Sequence, residues 1–98
     1  MRVNGRKIEL EPNAQLSGAN LSGANLFGAN LIGANLIDAN LSDADPISAN
    51  LTNANLTNAR IPYANLSNAN LRGADLTNSD LTNADLTNAT MPDGRIHG

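Results

Sequence analysis

His97 is the only histidine in the chain. A catalytic Ser-His-Asp set or a histidine metal site needs such a residue held rigidly. It lies instead in the terminal stretch "PDGRIHG", near Asp93, and reads as a solvated tail residue. Gly18 and Gly23 have the four-residue gap of a phosphate loop, but no Gly-Lys-Ser/Thr follows them. Calcium needs several oxygens converging on one point. Asp38, Asp43, Asp45, Asp75, Asp80 and Asp85 are too regularly dispersed for that. The triplets beginning at Asn20, Asn40, Asn50, Asn55 and Asn65 match glycosylation acceptors, yet they follow from a repeat that sets Asn two places before Ser or Thr. The expectation is a protein with no catalytic residues, no cofactor and no metal.

The spacing of these residues is set by what must position them. "GANLSGANLFGANLIGANLIDANLSDAD" restates itself every five residues. From Ala14 to Asp93 the chain divides into sixteen pentads without an insertion. At the central position, called i, thirteen of the sixteen are Leu; at i−2 fifteen are Ala; at i−1 nine are Asn and four Asp, so the pattern is too strict to be a disordered polar tract. With one Phe, one Tyr and no Trp, an ordinary mixed core is excluded. No cysteine is present, so disulfides are absent and the redox compartment is open. The N-terminus "MRVNGRKIEL" lacks the apolar stretch of a signal peptide, and no apolar run reaches a transmembrane length. A cytoplasmic protein without membrane contact is expected. A net charge of −3 argues against direct nucleic-acid binding.

On an α-helix, a period of five would wind the leucines round every side, and on a continuous strand it would flip them from face to face. A short strand followed by a corner satisfies it. Residues i−2 and i then point inward and i−1 points out. The corner's third residue must tolerate φ > 0 if the turn is type II, and i+2 supplies mainly Gly and Asn, from Gly18 to Asn88 and Asp93. Pro62 and Pro92 fall at the second turn position, where their fixed φ fits. Tyr63 is the odd corner and suggests a different turn there. Pro46 stands among the leucines without an N–H, so a local irregularity is expected around it.

Tandem A(D/N)LXX, as in "ANLTNANLTNA", resembles the pentapeptide-repeat family. The resemblance implies an all-β, right-handed quadrilateral β-helix with four pentads per coil, hence about four coils and roughly 19 Å of stack at about 4.8 Å per layer. Residues 1–13, with a hairpin turn at Asn4-Gly5, read as an N-terminal cap. Residues 14–93 read as the β-helix and 94–98 as a tail or partial repeat, with no closure comparable to the cap.

Twenty residues per coil stack positions twenty apart. Phe27 and Ile47 then share a face, with Ile32 round the corner; with Ile37 they replace the usual Ser or Thr at i+1 and form a candidate interaction surface. Leu76, Leu81, Leu86 and Met91 would lie open on the last coil, a candidate interface for an end-to-end homodimer. Asp75, Asp80 and Asp85 would form an acidic ring on three successive faces, with Arg60 in the column of Asp80 and Arg95 in line with Asp75. Some members of the family bind DNA gyrase by mimicking duplex DNA, which calls for acidic stripes along the axis. A non-catalytic scaffold or protein-interaction module is the expected function, and a DNA-mimicking topoisomerase regulator is the alternative.

Overall fold

The N–H of Leu16 donates to the carbonyl of Asn35 at 2.8 Å, and Asn35 returns its own N–H to Ala14 at 2.9 Å. This exchange recurs up the chain in the computed structural model, which describes all residues 1–98. It joins each i−1 residue to its counterpart one coil on, as in the parallel bridges Gln15↔Asn35, Asn35↔Asn55 and Asn55↔Asp75. The result is a right-handed quadrilateral β-helix. Each face contributes one bridging residue, so of 58 backbone hydrogen bonds only 2 lie within regular strands. The fold is held by coil-to-coil and corner bonds. Its cross-section is nearly square, 24 × 23 Å, on a long axis of 35 Å that includes the parts flanking the coils.

The corners obey the type II requirement. Ala19 N–H closes on Leu16 C=O at 3.0 Å, and Gly18 between them has φ 68°. Asn occupies the same left-handed position at Asn53, Asn58 and Asn68, with φ of 60–61°. Tyr63 was the expected exception, yet its φ of 59° matches its neighbours. Only the closing bond from Ala64 to Ile61 is missing there. The first corner lies ahead of Ala14: Ala14 N–H bonds Glu11 C=O across Pro12 and Asn13, whose φ is 62°. Pro12 occupies the turn position of Pro62.

Inside the coils the Ala and Leu columns fill the axis. Leu21, Leu36 and Leu56 are fully buried, and the apolar space left along the axis is about 10 Å³, at most a single water. Pro46 is also buried in its column. The irregularity expected there amounts to one absent ladder bond to Asn65 and a longer one from Leu26 to Asp45, 3.2 Å. Asp45 and Asn65 are not bridged and the Ile47 N–H has no partner, while the coil-to-coil bonds donated by Asp45 and Ser48 are kept.

The N-terminal segment is a hairpin of β1 (Arg2–Val3) and β2 (Arg6–Lys7) across Asn4-Gly5. Both turn residues have positive φ, 50° and 82°, as a two-residue hairpin loop demands. Val3 and Ile8 bury against the first coil. The other end departs from expectation. Asp93 does not take the left-handed conformation; Gly94 does, with φ 87°, and the chain reverses. Met91 N–H then donates to Arg95 C=O, His97 N–H donates to Ala89 C=O, and Thr90 pairs antiparallel with Ile96. The tail is therefore paired along one face of the last coil. Arg95 does not continue the column of Asp75, and its side chain instead lies 3.6 Å from Asp93.

Candidate interaction surfaces

The outward residues are tied to one another along each face. The Asn40 side-chain oxygen accepts both the N–H and the hydroxyl of Ser42, at 3.0 and 2.6 Å. Asn50 with Thr52, Asn55 with Thr57, and Asn65 with Ser67 do the same. Four of the five triplets that mimic glycosylation acceptors are thus the sequence signal of an i−1 to i+1 clasp, and the fifth, at Asn20, makes its backbone half alone. The clasp uses the hydroxyl and one side-chain oxygen. What remains for a partner is the Asn amide or, where Asp replaces it, a charged oxygen.

At Asp75, Asp80 and Asp85 the clasps come from Thr77, Thr82 and Thr87. The threonine hydroxyl, and after it the threonine N–H, holds each carboxyl below the ordinary value of 3.8. The three Asp stand on successive faces of one coil, bridged respectively to Asn55, Arg60 and Asn65. No bridged column sets Asp above Asp. Charge is layered by coil: residues 14–33 carry none, 34–53 carry Asp38, Asp43 and Asp45, 54–73 carry Arg60 and Arg72, and the last coil is acidic again.

Phe27 and Ile47 occupy one column, linked by Gly28 N–H to Ile47 C=O at 2.9 Å. Phe27 is 68% exposed and Ile47 half-buried. Ile32 and Ile37 sit half-buried at the next two corners, so the four residues make one stacked pair and two separate positions. Phe27, Ile32 and Ile37 keep the backbone half of the clasp, to Asn25, Asn30 and Asn35, and lose the hydroxyl half. Tyr63, 63% exposed at its corner, is a further aromatic on the surface, away from the i+1 columns.

Leu76, Leu81, Leu86 and Met91 are half-buried, whereas the leucines beneath them are at most 5% exposed. The N–H groups of Leu76, Leu81 and Leu86 have no protein partner, while that of Met91 is taken by the tail. His97 is exposed, its backbone engaged in that pairing.

A family profile described as "Pentapeptide repeats (8 copies)" matches residues 13–45 and 49–88. The chain belongs to the pentapeptide-repeat family. The gap in the match falls at Pro46 to Ser48. Among solved pentapeptide-repeat proteins, one from Nostoc PCC 7120 is 35% identical with a TM-score of 0.78, over 79% of this chain and 64% of that one. HetL, described as involved in heterocyst differentiation regulation in the same cyanobacterium, is 41% identical with a TM-score of 0.63, over 88% of this chain and 42% of its own. A protein of the Arabidopsis thaliana thylakoid lumen is 31% identical with a TM-score of 0.56, over 87% of this chain and 63% of that one. The chain thus spans less than two thirds of each of these relatives. No curated protein matches it. No helix is long and apolar enough to cross a membrane.

Proposed function

We propose that this pentapeptide-repeat chain is a non-catalytic scaffold that binds another protein through the outside of its β-helix. The observation that carries the reading is Phe27, an aromatic ring 68% exposed above a rigid face and stacked on Ile47. Elsewhere the i+1 positions are mostly hydroxyl residues engaged in clasps. The backbone of Phe27 is held by the coil, so binding costs only the few rotamers of one aromatic side chain, which favours it as an anchor. The regulatory role ascribed to HetL is one that a binding scaffold can fill. Residence in the cytoplasm is part of the reading, and cell fractionation tests it. The DNA-mimicking alternative ranks lower because the bridged columns carry no acidic stripe.

Association of two copies end to end through the last coil belongs to the same reading. Its support is the half-buried Leu76, Leu81 and Leu86, whose N–H groups lack partners. The paired tail restricts such a contact to the three faces that it leaves open. The decisive experiment for the scaffold uses the intact chain as bait beside Phe27→Asp. A partner retained by the first and lost by the second supports the reading; retention by both removes Phe27 from it.

A further inference from the structure

The N-terminal hairpin covers the underside of the first coil unevenly. Asn4 donates from its side chain to the carbonyl of Ser22 at 3.0 Å on the second face. Asn13 N–H bonds Ile32 C=O on the fourth. On the first face, neither the backbone N–H nor the C=O of Gln15 has a partner, as is also true of Asn25 and Asn30 on the third and fourth. Gln15 is the one of these that lines a groove beside the hairpin. One coil higher, the same two groups of Asn35 bond Ala14 and Leu16. Gln15 therefore presents half of a ladder whose other half is absent.

Beside it runs the outer edge of β2. Arg6 pairs with Val3, and Ile8 exchanges backbone bonds with Met1, so strand alternation turns the backbone groups of Lys7 outward. The backbone groups of Lys7 and Glu9 make no hydrogen bond. Between this edge and Gln15 lies a groove of about 330 Å³, lined also by Ile8 and Leu16.

We propose that the groove is a peptide slot, which receives an extended segment as an added strand between Gln15 and the outer edge of β2. The repeat's own register defines the occupant. Its first residue accepts from Gln15 N–H, as Ala14 accepts from Asn35, and its third donates to Gln15 C=O, as Leu16 donates to Asn35. A small residue, a polar one and an aliphatic one in that order reproduce the repeat's own strand; Ile8 and Leu16 are already buried, so backbone bonds carry the recognition. Lys7 and Glu9 lie 3.7 Å apart and offset each other's charge. Arg6 and Glu11 on the same rim carry opposite charges, so the rim as a whole is neutral and suits an uncharged segment. The slot rests on the reading of the chain as a binding scaffold and lies on a different surface from Phe27.

The test titrates the blocked synthetic peptide Ala-Asn-Leu-Thr-Asn-Ala, a copy of residues 49–54, into the isotope-labelled full chain. Saturable shifts of the Lys7, Glu9 and Gln15 backbone amides are expected. Gln15→Pro removes the donor without breaking a backbone bond and should weaken binding about fivefold, as should Lys7→Pro on the opposite wall. No shift at millimolar peptide overturns the slot. So do shifts confined to Leu76, Leu81 and Leu86, or unchanged affinity in whichever proline variants retain the native spectrum. A protein partner lost on Phe27→Asp but indifferent to both prolines also removes the slot, and leaves the scaffold reading standing.

Discussion

Arg60 and Asp80 are bridged through their backbones in adjacent coils, yet their side chains form no ion pair. The Asp80 carboxylate is engaged by Thr82, whose hydroxyl lies at 2.5 Å and whose N–H lies at 3.0 Å. Local hydrogen bonding outweighs the cation in lowering its proton affinity.

That balance predicts the acid limb of stability. Asp75, Asp80 and Asp85 have folded values depressed below 3.8. Their stabilisation is present above the unfolded value and is lost as pH falls through the depressed folded values. Replacing all three by Asn, which makes the same clasp at Asn55, should flatten that loss. Urea midpoints measured between about pH 5 and pH 2 check it. Parallel curves for the two proteins would contradict it.

Leu56 lies mid-stack and is fully buried. Leu56→Ala should cost about 2–5 kcal/mol, since neighbours locked in ladders cannot collapse into the vacancy. Denaturant unfolding measures it, and a loss well below that range would show that the coil repacks.

Tyr63 holds φ 59° with its ring largely in water. Left-handed backbone is disfavoured for tyrosine and tolerated by asparagine, which fills the same place at Asn58 and Asn68. Tyr63→Asn should raise stability by up to about 1 kcal/mol. A lower melting temperature would mean that the ring makes a contribution its exposure conceals.

The columns gave the turns and the core because each pentad must do the same thing: Leu56 and Asn58 announce their roles by type and position. Residues whose role depends on a neighbour were harder to read. The Asn55–Thr57 clasp exists only once the corner folds both side chains outward. Two signals at the margins were legible and missed. Glu11-Pro12-Asn13 carries the Pro and Asn of a repeat corner, and Asp93-Gly94 is a hairpin dipeptide, so the reversal after Met91 could have been anticipated. The stretched bond at Asp45 depended on how a proline ring fits among leucines, which spacing cannot convey.

For the last coil, sedimentation over a range of concentrations should show reversible dimerisation that Leu86→Asp abolishes. Monomer throughout, with Leu86→Asp unchanged in mass and stability, would show that these half-buried side chains need no cover.

Purified protein should leave DNA gyrase supercoiling uninhibited at micromolar concentration, because Asn55 lies beneath Asp75, Arg60 beneath Asp80 and Asn65 beneath Asp85. Inhibition that disappears when the three Asp are neutralised would restore the DNA-mimicking reading.

The unbroken five-residue period makes chain length an angular coordinate. Four pentads return the backbone to the same face, as the bridge Gln15↔Asn35 records. Excising one pentad between the hairpin and the tail would swing one end a quarter turn about the axis relative to the other. Excising twenty residues would shorten the rod by a layer and restore the original heading. Evolution can thus re-aim the two ends by counting pentads, with every internal contact type preserved.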